Sequence, residues 1–156
     1  MAGVKVHSKR KASRNGNGGS AYPGRLFRAH GQAPVQYAPG IARETLGYGK
    51  DGLLARFTLH KGFQIPLHQH PNEQISYVLR GKSMVRIGSQ TVMVQVGDTF
   101  VVPPSAFHGQ LALEETVTLV SWAPVRREFA DVRFQSLGEP KAERTSGARS
   151  SKKPAH

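Results

Sequence analysis

Along the middle of the chain, apolar and polar side chains alternate in short runs. Leu53, Ala55, Phe57 and Leu59 interleave with Leu54, Arg56, Thr58 and His60, and Val92, Val94 and Val96 interleave with Thr91, Met93 and Gln95. A period of two is that of strands with one buried face. Further short runs follow the same habit: Ile75 to Leu79, Met84 to Ile87, Phe100 to Val102 and Thr116 to Trp122. Gly81-Lys82, Gly88-Ser89-Gln90, Gly97-Asp98 and Pro103-Pro104 stand between them as turn signals. No window sustains a helical period, and only residues 126 to 133, RREFADVR, can turn once or twice. The pattern predicts an all-β fold of about eight to ten short strands in one domain over residues 21–136. Closure into a barrel or double-sheet jelly roll is expected, because it removes bare sheet edges.

Composition narrows this further. A chain of 156 residues has room for one ordinary core. It contains no cysteine, which excludes disulfides and thiolate metal sites and leaves histidine, carboxylate, amide and water as ligands. The net charge of +12 is concentrated at the ends: residues 1–20 hold five basic and no acidic residues, and residues 137–156 hold five basic and two acidic. Both ends are poor in large apolar residues, so they are expected to be disordered basic tails serving solubility. Non-specific attraction to polyanions is the alternative role, and specific nucleic-acid binding is not expected. Neither a membrane-spanning run nor an apolar leader core is present, so the expectation is a soluble, cytoplasmic protein without membrane attachment.

Candidate chemistry begins at HQHPNEQISYVLRG, residues 68 to 81. On an extended strand His68 and His70 leave the same face, Pro71-Asn72 breaks the strand, and Gln74 opens the next, antiparallel one. His108 follows the proline pair, so four ligand-capable groups can converge inside one barrel. Glu73 precedes the glutamine and should face the other way. His7, His60 and His156 read as ordinary polar histidines. Arg56 shares its strand parity with Thr58 and can point into the lumen, whereas Tyr77 can fill the core.

Gly62, His68, His70, Gln74 and Gly81, followed by Gly97, Pro103, Ser105 and His108, resemble in spacing the two motifs of the cupin superfamily. The resemblance covers about residues 41–129. It departs at Gln74, where a glutamate is usual, at Ser105, where a glycine is usual, and at Ala112, where an asparagine is usual. It implies a double-stranded β-helix in which His68, His70, Gln74 and His108 hold one divalent ion: Ni, Zn, Fe or Mn. With three imidazoles and an amide, all neutral, the ion would keep its full charge and be strongly Lewis-acidic. The absence of an anionic ligand also disfavours an oxidised metal.

Within the superfamily, HQHPNEQISYVLRG and TVTLVSWAPVRREF are most similar to single-domain KdgF-like cupins, which promote ring opening of unsaturated uronate sugars. Small polyketide cyclases are similar cupins that share the glutamine. The resemblance implies Trp122 as an aromatic wall and Arg126 as partner of a substrate carboxylate, a role that suits a guanidinium. The acidic residue of the uronate enzymes is matched here by Val120. Homodimers formed through sheet edges or exchanged N-terminal strands are also implied, and residues 34–48 contain an early strand suited to such a contact. Three functions follow: a metal-dependent isomerase, cyclase or ketonising enzyme on a small oxygenated, sugar-acid-like substrate; an Fe-dependent dioxygenase; or a non-enzymatic small-molecule binder.

Overall fold

The computed structural model describes residues 24–29 and 33–136, and the two basic tails read from the sequence lie outside them. Within Arg25–Ser136, twelve strands alternate with tight turns: β1 (Arg25–Leu26), β2 (Val35–Ala38), β3 (Ile41–Tyr48), β4 (Leu53–Leu59), β5 (Gln64–His68) and β6 (Glu73–Arg80), then β7 (Lys82–Ile87), β8 (Gln90–Gln95), β9 (Thr99–Val102), β10 (His108–Ala112), β11 (Thr116–Ala123) and β12 (Gln135–Ser136). The expected one or two turns after residue 126 are a single 3-10 turn, Arg127–Phe129.

All pairings are antiparallel, in a six-stranded sheet ordered β2-β3-β4-β11-β6-β9, a four-stranded sheet ordered β5-β10-β7-β8, and the short pair β1-β12. This is the expected all-β jelly roll. Leu53, Ala55, Phe57 and Leu59 are all buried and pack with Ile41, Ala112, Val120, Trp122 and Phe129. Val78, Val85 and Val94 form a second apolar cluster, with Phe100 against it. Of the three alternating valines in the Val92–Val96 run only Val94 is buried: β8 is an edge strand, and Val96 lies beyond its end.

Two sequence readings fail on the outer surface. Arg56 does not enter the lumen: its side chain is 46% exposed and pairs with Glu44 across β3 and β4. Tyr77 does not fill the core; together with Ile75, Leu79 and Val101 it stands on the exposed face of the large sheet. A charged residue does occupy an inward position at Arg43, which is 5% exposed. It bonds Thr45 and sits 2.6 Å from Asp131, while Thr45 Oγ1 donates to the Phe129 carbonyl at 2.7 Å. The Arg43 hydrogen bonds are the main reason the Asp131 carboxyl lies below its ordinary range. This cluster fastens the chain just beyond the turn that carries Arg126.

Glycine is required at Gly81, the β6–β7 turn, where φ is +82° and a Cβ would run into the Glu115 carbonyl. Ser105 adopts φ +62°, the left-handed conformation for which glycine is the usual residue, and its N–H donates to the His70 carbonyl at 2.8 Å. No helix among the described residues is long and apolar enough to cross a membrane.

Candidate metal centre

His68 closes β5 and His108 opens β10, and the two are directly opposed in the ladder joining those strands. Both rings therefore leave the same face of the small sheet, with centroids 4.2 Å apart. His70 is placed differently from the sequence expectation. β5 ends at His68, so His70 stands in the Pro71-Asn72 turn, and β6 does not fold back beside β5 but enters the large sheet between β11 and β9. The turn thus carries the chain from one sheet to the other, and His70 and Gln74 reach the histidine pair from across the barrel.

The three imidazoles bring one ring nitrogen each to within 4.8 Å of one another, an arrangement able to hold a metal ion. Each ring is fixed in the same way. Nδ1–H of His68 donates to the Pro66 carbonyl at 2.9 Å, that of His70 to the Asn72 carbonyl at 3.0 Å, and that of His108 to the Ala106 carbonyl at 2.9 Å. A carbonyl only accepts, so the proton of each neutral ring sits on Nδ1 and the Nε2 lone pair faces inward. Backbone carbonyls that hold the far nitrogen of a ligand histidine are the usual support of a metal site. Burial, above all, pushes the His108 imidazole down to about 4, and burial likewise lowers His70, so both are neutral at pH 7.

Two observations test this site for a cation. His108 Nε2 is buried and has no hydrogen-bond partner. Gln74 Oε1 lies 3.2 Å from His70 Nε2, and with the His70 proton on Nδ1 these are two acceptors facing each other. A buried orphan acceptor and a pair of apposed lone pairs are each unfavourable in an uncharged cavity, and a cation relieves both. The residues present fit a divalent ion bound by nitrogen and oxygen.

Gln74 is buried at the start of β6 and Glu73 is exposed, as strand parity requires. Trp122 is 3% exposed and packs edge-on to Phe57. It serves the core while also lining the pocket, and its Nε1–H donates to Gln74 Oε1 at 2.9 Å. Arg126 lies at the same pocket, its guanidinium 4.3 Å from the centre of the Phe129 ring. Nε and Nη2 contact Glu128 Oε1 at 2.8 and 2.7 Å; Arg126 is 13% exposed and Glu128 57%. Burial works to raise the Glu128 carboxyl, but its own backbone N–H and Arg126 outweigh this and hold it below the usual range. Val120, Val85 and Phe100 form apolar wall, and no carboxylate is among the lining residues.

Some site residues gave no sequence signal of function. Asn72 looked like a turn former only, yet its carbonyl holds His70 and its Nδ2 donates to the Pro124 carbonyl at 2.6 Å. Ser76 accepts from Gln74 Nε2 at 2.9 Å; its one signal was polarity at an inward strand position. Tyr37, on β2, lines the pocket through a strand contact that sequence spacing does not encode.

Residues 55–122 match the family described as Cupin domain. The barrel has the cupin fold. Among solved structures, this barrel is similar to KdgF from a Halomonas species, at 28% identity over 66% of this chain and 96% of that one, with a TM-score of 0.63. An RmlC-like cupin from Shewanella frigidimarina matches at 24% identity over 65% and 92% with a TM-score of 0.62, which shows the shared fold. A conserved protein of unknown function from Streptococcus pyogenes matches at 27% identity over 55% and 75%, with a TM-score of 0.51. No curated protein matches the sequence.

Proposed function

We propose that this protein binds one divalent ion of Ni, Zn, Fe or Mn through His68, His70, His108 and Gln74, and uses it as a Lewis acid in an isomerase, cyclase or ketonising reaction on a small oxygenated acid. The observation that carries the proposal is the convergence of imidazole lone pairs and an amide oxygen with no proton placed among them. When bound, the ion polarises a carbonyl or hydroxyl oxygen of the substrate. Similarity to KdgF from Halomonas supports an unsaturated uronate as the first substrate class to test.

The chain's own residues supply binding and proton handling. Arg126 stands at the pocket with a planar set of N–H donors suited to a carboxylate, over apolar rings that exclude water from its other side. Val120, the residue matched to the acid of the uronate enzymes, lines the wall and carries no transferable proton. All three ligand Nδ1–H groups are committed to backbone carbonyls. Among the lining residues this leaves the Tyr37 phenol as the one titratable side chain outside the imidazoles and Arg126, and we assign the transfer to it.

The test is metal analysis of protein purified without an affinity tag, followed by NMR of unsaturated uronates incubated with each metal-loaded form. Stoichiometric metal with ring opening, reduced about 100-fold in Tyr37→Phe, is the expected result. Metal without turnover of these or related keto acids would favour a non-enzymatic binder, the reading that Val120 supports. Oxygen consumption with Fe(II) alone would place the protein among dioxygenases. A homodimer in the cytoplasm completes the proposal, checked by solution mass and by fractionation.

A further inference from the structure

The side-chain amide of Gln74 is held at both ends. Its Oε1 accepts from Trp122 Nε1 at 2.9 Å and its Nε2 donates to Ser76 Oγ at 2.9 Å, all three side chains being buried. The two ends do not contribute equally to the direction of the amide. An indole nitrogen only donates, so the atom facing Trp122 is the oxygen. A serine hydroxyl both donates and accepts, so Ser76 accommodates either orientation. His70 favours the opposite one: its Nε2 lone pair lies 3.2 Å from Oε1, and a half-turn of the amide would present an N–H to it instead. In the turned state every polar group of this cluster is satisfied except the indole.

We propose that Trp122 is a positioning residue for the fourth ligand: its N–H keeps the Gln74 oxygen toward the imidazoles and blocks rotation into a state that hydrogen-bonds His70 and shuts out a cation. This rests on Gln74 being a ligand. A glutamate at position 74 would need no such device, since both carboxylate oxygens accept metal and hydrogen bonds alike. The indole is thus matched to the amide, and the weak neutral donor becomes usable because it does not have to be turned on binding.

The chain contains one tryptophan, so biosynthetic replacement of tryptophan by benzothienylalanine, with sulfur in place of N–H, alters position 122 alone and preserves ring shape. Zn affinity is measured by competition with a chromophoric chelator, on tag-free protein. Replacement should weaken Zn about 10-fold in the native chain and less than about twofold in Gln74→Glu. Trp122→Phe, which keeps an aromatic ring in the core, should show the same background dependence. The single indole N–H resonance should shift on Zn addition and lose that response in Gln74→Ala. Equal weakening in both backgrounds would assign Trp122 to packing only and overturn the inference, as would no weakening in the native chain. If Gln74→Ala itself binds Zn as tightly as the native chain, the ligand assignment falls and this inference with it. If Gln74→Ala weakens Zn but the sulfur analogue does not, the ligand stands and the positioning role alone is lost.

Discussion

The inner and outer ends of the pocket are built on opposite plans. At the inner end each of the three imidazoles is braced by a backbone carbonyl, the amide is held at both ends, and His70, Gln74 and His108 are buried. At the outer end Arg126 is held by a single carboxylate whose side chain is mostly exposed, over the faces of Phe129 and Trp122. Backbone braces persist whether or not a ligand is present, whereas an exposed ion pair contributes only about 0.2–1 kcal/mol and exchanges readily. The inner end is suited to a resident ion and the outer end to an anion that comes and goes, with Glu128 as the partner it displaces.

The contrast is tested most severely by removing the inner end. His68→Ala with His108→Ala should abolish stoichiometric Zn or Ni binding by calorimetry while the barrel, seen by circular dichroism, remains folded. Retained metal would show that these rings are not ligands. At the outer end Arg126→Ala should weaken a small carboxylate ligand about 10-fold, the scale of one lost charge-assisted hydrogen bond, and leave metal affinity unchanged. Loss of metal in that variant would erase the distinction between the two ends. Glu128→Gln, which removes the competing charge, should tighten the same carboxylate by no more than about fivefold.

Acid provides a finer probe of the inner end. His108 and His70 have folded-state values below the ordinary 6.5, His108 at about 4, so the unfolded chain takes up protons first as pH falls. Their contribution to stability is therefore present above pH 6.5 and is lost as pH falls toward 4. In chelator, the melting temperature should be flat near neutrality and decline across that window. In His108→Gln the decline should be shallower, and an equal slope would assign it to other groups.

Much of this was legible in the sequence. Strand parity correctly buried Leu53, Ala55, Phe57, Leu59 and Gln74 and turned Glu73 outward, because a period of two is local. Parity says nothing about which sheet a strand joins. It therefore put His70 on the strand of His68, whereas the turn hands the chain to the other sheet. The same parity also turns Arg56 and Tyr77 outward, Arg56 because it alternates with Ala55 and Phe57 and Tyr77 because it shares the parity of Glu73, against the readings that let them enter the lumen and the core. The tie between Asn72 and Pro124 and the approach of Tyr37 to the pocket span 52 residues in one case and a packed strand in the other. Such contacts leave no local pattern. The usual-glycine position at Ser105 was visible from spacing, and its positive φ shows why glycine is favoured there.

Asn72 gives the barrel a mechanical property. Its carbonyl steadies the His70 ring and its amide grips the Pro124 carbonyl, two positions before Arg126 in the chain. One residue therefore connects the segment leading to Arg126 with the His70 imidazole. If His70 holds an ion as proposed, an acid bulky enough to shift this segment would be expected to shift that imidazole as well.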